Sequence, residues 1–259
     1  MAVTYDSRLY DIVIPESFGG DTTWYRRKAR EANGPVLELG AGTGRITLPI
    51  ARDGVAIHAL EPNPSMIDAL RRKVDALPDD ARGRVTIVDA DMRTFAIDRR
   101  FALIIAPFRA FLHNLTREDQ LACLQRVHAH LQRGGRFAFN VFHPSLEFMS
   151  RHAGAFEGVW RWTSTHPLPD GGCVVRSDAN RYDTVRRRVF SLHRYDEFDA
   201  NGELTRTFLH RLELTWLYPP DIRQLLADAG FTTVDMYGDF NERPHERDTD
   251  ELVIEAHAG

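Results

Sequence analysis

The sequence predicts an α/β protein in which a mostly parallel, seven-stranded sheet carries crossover helices and an antiparallel β insertion follows the fifth strand. Three observations carry this expectation. Short apolar runs alternate with helix-like stretches from Pro35 to Val141, the texture changes to period two between about His143 and Tyr218, and a helix followed by two strands returns after Pro219-Pro220. Alternation of the first kind places strands in parallel, because each crossover helix brings the chain back to the same end of the sheet.

The elements follow in chain order. Val36 to Leu39 is the first apolar run, and a helix begins near Arg45. Ala56 to Leu60 is the second strand, followed by a helix from about Pro64, where a proline suits the first helical turn. Val85 to Val88 and Phe101 to Ile105 give the third and fourth strands. A long helix from about Arg117 to Leu131 is expected to stop at Gly134-Gly135, and Arg136 to Val141 is the fifth strand. Within the insertion, Asn201-Gly202 signals a tight turn, with Phe208, Leu212, Leu214 and Trp216 on one face of the returning strand. Pro219-Pro220 opens a helix to about Ala229, Gly230 stops it, and Thr232 to Tyr237 and Glu251 to Ala256 supply the last two strands. On this reading residues 1–142 and 219–259 form one Rossmann-like domain, and residues 143–218 form the insertion.

Composition narrows the function classes. A chain of 259 residues with 43% hydrophobic content buries a substantial core. A net charge of −4 gives no general basic surface for a polyanion, which disfavours nucleic acid as a partner. Cys123 and Cys173, the two cysteines of the chain, stand in unrelated contexts and suggest neither a disulfide framework nor a cysteine metal site. The amino terminus lacks a basic start followed by an apolar run, and no later stretch is long enough to span a bilayer, so a cytoplasmic protein is expected.

The strongest chemical signal is Glu38-Leu39-Gly40-Ala41-Gly42-Thr43-Gly44-Arg45, at the handover from the first strand to the first helix. Glycines there permit a tight turn and let backbone amides approach a ligand at the carboxyl edge of the sheet. The spacing is G-x-G-x-G, whereas a dinucleotide site usually shows G-x-G-x-x-G to seat a pyrophosphate on the helix. Two acids stand at the next strand ends. Glu61, before Pro62-Asn63-Pro64-Ser65-Met66, suits the two hydroxyls of a ribose, and Asp91 suits an adenine amino group, with Met92 and Met66 offering soft contact to the ring. Either acid alone reads equally well as a solvated strand-end residue.

These residues resemble a known family. Glu38 to Gly44, Glu61 and Asp91-Met92 look like the nucleoside-binding motifs of class I S-adenosylmethionine-dependent methyltransferases, over about 110 residues of the chain. The resemblance implies a seven-stranded sheet whose last strand is antiparallel. It implies that Gly40, Ala41 and Gly42 approach the methionine part of S-adenosylmethionine, Glu61 the ribose, and Asp91 with Met92 the adenine. Tyr25, Glu38, Arg45, Pro62, Met66, Ala106, Phe108 and Phe111 complete the expected cofactor lining. The Tyr5-Asp6 and Tyr10-Asp11 repeat, with the insertion after the fifth strand, resembles the subgroup of glycine N-methyltransferase and the antibiotic-sugar N,N-dimethyltransferases. In that subgroup acceptor specificity lies in the insertion.

After the fourth strand the chain reads Ala106-Pro107-Phe108-Arg109-Ala110-Phe111-Leu112-His113-Asn114. Family members that methylate base or glutamine amines carry Asn or Asp, then Pro-Pro and an aromatic, at this point. Metal-dependent members place an acidic ligand there, and none stands between Ile104 and Asn114. A metal-free reaction on a small-molecule acceptor is expected. The sugar N,N-dimethyltransferases have a histidine where His113 stands, making it the first candidate for a proton acceptor or acceptor-orienting group, with Tyr10 the second. Each has a plain structural alternative, His113 as a carbonyl-binding residue at a helix entry and Tyr10 as an amphipathic anchor.

Other features weigh less. His128 and His130 are two apart on a helix and make a poor metal pair. Arg186-Arg187-Arg188, with Arg181 and Arg194, reads as a solvated strand face more readily than as an anion site, and Trp160, Trp162, Phe190 and Trp216 could wall an aromatic acceptor pocket, though any insertion needs large rings for its core. Two other functions stay open on sequence alone: a nicotinamide-dependent oxidoreductase and a non-catalytic cofactor-binding protein. The sequence does not name the acceptor, the methylated atom (nitrogen or oxygen) or the oligomeric state, and homo-oligomerisation stays open.

Overall fold

The structure is a computed structural model that describes residues 6–142, 145–151, 157–248 and 250–259. Tyr5 of the Tyr5-Asp6 repeat and His143 at the start of the insertion lie outside the described residues. The chain divides into two compact units, residues 16–143 with 216–259, and residues 1–15 with 144–215.

The larger unit is built on a seven-stranded sheet. Its strands are β1 (Val36–Leu39), β2 (Ile57–Leu60), β3 (Val85–Val88), β4 (Phe101–Ala106), β5 (Leu131–Val141), β10 (Phe231–Tyr237) and β11 (Leu252–Ala258). They lie in the order β10-β11-β5-β4-β1-β2-β3. Strands β1 to β5 pair in parallel, and β11 runs antiparallel to both β5 and β10. The order reverses at β1, whose neighbours are β2 and β4, and that reversal opens a crevice at the carboxyl ends of the strands.

Helices α2 (Asp21–Glu31), α3 (Thr47–Arg52), α4 (Pro64–Asp75), α5 (Asp79–Arg82), α6 (Arg117–His130) and α8 (Pro219–Asp228) belong to this unit. One core cluster joins Trp24, Tyr25 and Ala29 of α2 to Ile46, Ile50, Val36, Leu103 and Val253, and another packs Leu70 and Val74 of α4 against Ala59 and Leu48. Each such fully buried aliphatic side chain contributes about 1.5–3 kcal/mol. Burial is nearly complete along β1, where all four residues are enclosed, as expected for a central parallel strand.

The ends of two helices show how local sequence sets the geometry. Asn63 caps α4, its side-chain oxygen accepting from the amides of Ser65 (3.0 Å) and Met66 (3.4 Å), with Pro64 in the first turn. Helix α6 ends at His130, and Leu131 is already extended (ψ 144°). Gly134-Gly135 therefore fall inside the opening of β5, where its register against β4 shifts, and do not end the helix as the sequence suggested.

The smaller unit is a four-stranded antiparallel sheet, β6 (Arg161–Pro167), β7 (Cys173–Asp183), β8 (Arg188–Phe198) and β9 (Leu204–Thr215), in the order β6-β7-β8-β9. The Asn201-Gly202 turn joins β8 to β9, and Phe208, Leu212 and Leu214 share a face with the buried His210. Trp216 lies beyond the strand, in the larger unit. Helix α7 (Leu146–Ser150) belongs to this smaller unit, and so does helix α1 (Ser7–Val13), which the sequence placed in the Rossmann-like domain. Its Leu9 and Val13 pack on Val174 and Tyr195, and Arg206 pairs with Asp6 at 2.9 Å.

Candidate active site

The glycine loop after β1 assigns a different task to each glycine. A Cβ on Gly40 would stand 3.0 Å from Ala110 Cβ, and one on Gly44 would stand 2.5 Å from Leu70 Cδ1, so these two allow close packing. A Cβ on Gly42, where φ is +56°, would meet nothing within 4 Å. The middle glycine therefore faces open space at the carboxyl edge of the sheet, where a ligand can reach the backbone. The loop is tied to β2, since the amides of Gly40 and Ala41 both donate to the Leu60 carbonyl, at 2.9 and 3.0 Å.

Glu61 locks the loop and the α4 cap together. Its Oε2 accepts from the Gly42 amide at 3.0 Å and its Oε1 from the Asn63 amide at 2.9 Å. The residue is 8% exposed, and burial raises its pKa above the ordinary carboxylate value against the pull of those two amides. Each oxygen keeps a further lone pair, so the carboxylate can accept from a pair of vicinal hydroxyls.

Glu38 serves a different purpose. It is enclosed, accepts from the Thr47 hydroxyl, and is pushed by burial up to a pKa of about 8, so it is mostly protonated at neutral pH. Tyr25, equally enclosed, donates its hydroxyl to Asn140 Oδ1 at 3.0 Å. Met66, Ala106 and Phe111 are also buried, Phe111 packing against Phe139 with ring centroids 5.2 Å apart, whereas Pro62 is exposed.

Two of the charged site residues are held in ion pairs. Asp91 is gripped by Arg93, which donates from Nε (2.8 Å), Nη2 (2.6 Å) and its own amide (2.8 Å), and whose guanidinium also reaches Asp119. That grip holds the Asp91 carboxyl below its usual range. Met92 lies beside the loop, its Cε 4.0 Å from where a Gly40 Cβ would stand, and Asn114 Nδ2 donates to its sulfur at 3.2 Å. Arg45 makes a two-pronged pair with the fully buried Asp21, at 2.7 and 3.0 Å, and lies 4.9 Å from the centre of the Phe108 ring.

Beyond β4 the backbone takes a conformation with no local mark in the sequence. Phe108 (φ 52°) and Arg109 (φ 66°) are consecutive non-glycine residues in the left-handed region, a conformation costing about 1–3 kcal/mol each and found where surrounding structure over-determines it. Arg109 donates from Nε (3.0 Å) and Nη2 (2.6 Å) to Glu251, between the rings of Phe18 (5.1 Å) and Phe142 (4.9 Å). Glu251 also accepts from Asn140 Nδ2 at 2.7 Å, which extends the chain of bonds to Tyr25.

The left-handed pair feeds a 3-10 turn, Ala110–His113, that ends at His113. Desolvation by the surrounding protein lowers the His113 imidazole to a pKa of about 4, although the residue as a whole is exposed. At neutral pH it is an uncharged imidazole. Tyr10 stands on α1, in the smaller unit. Among the described residues, no three His, Cys, Asp or Glu side chains are grouped so as to hold a metal ion, and no helix is long and apolar enough to cross a membrane.

Comparison with known proteins decides between the ligand classes that this loop admits. Residues 36–135 match the model of a methyltransferase domain family. Residues 36–135 carry a methyltransferase domain. The nicotinamide reading falls away with that match, and S-adenosylmethionine is the methyl donor of the methyltransferase. A cypemycin N-terminal methyltransferase of a Streptomyces species is 26% identical over 220 residues, covering 85% of this chain and 81% of that one. The chain spans 64%, 66% and 62% of the length of three uncharacterized bacterial methyltransferases that it also matches. In fold, the methyltransferase is similar to CcbJ from Streptomyces caelestis (TM-score 0.76, 24% identity, 95% of this chain and 99% of that one). It is likewise similar in fold to the sugar N-methyltransferase KedS8 from Streptoalloteichus sp. ATCC 53650 (TM-score 0.76, 19% identity, 100% and 95%).

The residues present fit the donor. Gly42 has open space on its Cβ side that would admit the methionine part, and the Glu61 oxygens would have lone pairs for ribose hydroxyls. The donor brings a methyl group on a positively charged sulfur, so transfer dissipates charge and asks mainly for alignment. Sequence reasoning missed Arg109, Asn140 and Glu251. A run of non-glycine residues carries no local mark of left-handed backbone, and Arg109 and Glu251 are 142 positions apart.

Proposed function

We propose that the methyltransferase transfers a methyl group to an amine nitrogen of a small-molecule acceptor, without a metal ion. The observation that carries this reading is the place of His113, exposed at the end of the 3-10 turn that follows the carboxyl end of β4, with its imidazole lowered to a pKa of about 4. A base that weak is poorly matched to removing a proton from a hydroxyl acceptor, because proton transfer is efficient when donor and acceptor affinities are close. A neutral amine already presents a lone pair. An uncharged imidazole can accept one of its N–H bonds and turn that lone pair toward the methyl carbon, and reactive alignment of this kind contributes about 7–11 kcal/mol in the best intramolecular cases.

In this account Gly42 and Glu61 hold the donor, His113 orients the amine, and the excess proton leaves to solvent after transfer. Tyr10 is the second acceptor-orienting candidate. The names of the relatives point the same way, since the cypemycin enzyme is called an N-terminal methyltransferase and KedS8 a sugar N-methyltransferase. A reducing, cytoplasmic setting belongs to the same reading, in keeping with Cys123 and Cys173 as free thiols.

The test offers the chain trideuteromethyl-labelled S-adenosylmethionine with paired acceptors, amino sugars and their hydroxyl counterparts, in the presence of EDTA. Label appearing on nitrogen of the amino member alone, undiminished by EDTA, is the expected result. Label on oxygen, or a requirement for a divalent ion, overturns the reading.

A further inference from the structure

The Arg109–Glu251 pair is built with more care than a surface ion pair needs. It is two-pronged, with the Glu251 side chain 14% exposed and the Arg109 side chain 33% exposed. The guanidinium lies between two aromatic rings, one ahead of α2 and one just past β5. Glu251 is fixed in turn by Asn140, and Asn140 by the buried Tyr25. Four segments thus converge: α2, the end of β5, the start of β11 and the turn after β4. All but α2 end or begin at the carboxyl edge of the parallel strands, since β11 runs antiparallel to β5.

Arg109 itself is in the left-handed region, and the hydrogen bonds of the 3-10 turn start from its neighbourhood: Ala110 N donates to Pro107 O at 3.1 Å and Leu112 N to Arg109 O at 2.9 Å. Nothing local in the sequence favours this backbone at two adjacent non-glycine residues. The side chains must hold it, Phe108 edge-on to Phe18 (5.6 Å) and against Arg45, and Arg109 on Glu251.

We propose that Arg109 and Glu251 are positioning residues for methyl transfer: their ion pair pins the left-handed Phe108–Arg109 turn and thereby fixes where the short helix carrying His113 stands. This rests on the methyl-transfer reading but not on which acceptor is used. The guanidinium makes none of the bonds to the glycine loop or Glu61 given above, so loss of the pair is expected to act on acceptor alignment far more than on donor affinity.

Three variants test it. Glu251→Gln keeps the shape and removes the charge, Arg109→Gly removes the clamp while suiting the left-handed backbone, and Glu251→Asp keeps the charge. Hydrogen exchange of the whole chain reads the amides of residues 110–114, calorimetry reads S-adenosylhomocysteine, and initial rates well below the melting temperature read kcat and acceptor KM. Expected for Gln and Gly are faster exchange at residues 110–114 and S-adenosylhomocysteine affinity within about twofold of the parent. With an amino-sugar acceptor, kcat falls on the order of 10²-fold, as misplacement by about 1 Å can produce, KM moves far less, and Asp recovers part of the loss. A merely structural pair lowers the melting temperature and leaves kcat alone. Unchanged exchange at 110–114 in a folded Arg109→Gly chain overturns the proposal, as does weakening of S-adenosylhomocysteine in proportion to kcat. If the amino sugar is not methylated by the parent chain, the acceptor reading has failed, and the exchange and calorimetric results still decide this one.

Discussion

The backbone amide of Gly42 donates to Oε2 of Glu61 at 3.0 Å, which makes the loop after β1 and the acid after β2 a single object. The other Glu61 oxygen takes the amide of Asn63, the cap of α4, so three consecutive sequence features fix one another. A ligand that contacts the loop and the carboxylate meets a preorganised surface, and it does not have to assemble that surface on binding.

Gly42→Ala is expected to separate binding from folding. The added methyl enters open space, so the cost to stability is the left-handed backbone alone, about 1–2 kcal/mol, while the same methyl occupies room the donor needs. Thermal melting should fall by a few degrees, on the order of 5 °C, and S-adenosylhomocysteine affinity by at least about tenfold. Equal affinity in the two chains would place the donor elsewhere.

Glu38→Gln should stabilise the chain at alkaline pH. The carboxyl titrates near 8 in the fold and near its ordinary value when unfolded, so its contribution is whole below the ordinary value and is lost as pH rises toward 8. Between those limits the parent chain should lose ground to the glutamine variant by a few kcal/mol, with the two converging in acid. Urea titrations from pH 4 to 9 read this directly, and parallel stability curves would contradict it.

The His113 imidazole has the opposite linkage. Its pKa is depressed in the fold, so the stability it contributes is present above the ordinary imidazole value and is lost as pH falls toward 4. Between about pH 6 and 8 it stays neutral, and the rate should follow the ionisation of the acceptor amine. His113→Ala is expected to lower kcat by roughly 10- to 10²-fold without moving that profile. A profile whose midpoint disappears with the imidazole would make His113 a titrating base.

Lys28 tests the framework behind the site. Its ammonium, 7% exposed, pairs with Glu255 at 2.5 Å and Glu242 at 3.0 Å, and Glu255 also holds Arg136. Lys28→Met leaves two carboxylates short of a partner inside the protein and should cost about 3 kcal/mol of stability, while S-adenosylhomocysteine binding per folded molecule is retained. Denaturant unfolding monitored with calorimetry distinguishes this from a direct role at the site.

What could be read from the sequence was what is local. The strands of the seven-stranded sheet, the Pro64 and Pro219 helix starts and the glycine loop are written in runs of a few residues, where period and turn chemistry are strong. The placement of α1 in the smaller unit was not legible, because Leu9 and Val13 find their partners at Val174 and Tyr195, far along the chain. Glu61 stands out by its spacing from the glycines, and the structure ties it to the Gly42 amide. Asp91 and Arg45 were read as donor contacts, and each is tied to a neighbouring charge, Arg93 and Asp21, that no motif advertised. The strained turn at Phe108-Arg109 was hidden for the same reason: its cause is Glu251, not its own residues.

The Gly42–Glu61 unit is proposed to bind the S-adenosyl donor. Calorimetric titration of S-adenosylhomocysteine, with NADH beside it, into the parent chain and Glu61→Ala decides this. Binding on the order of micromolar in the parent, weakened at least about tenfold in the variant and absent for NADH, is the predicted result. Equal binding to parent and variant, or binding of NADH alone, would contradict the account.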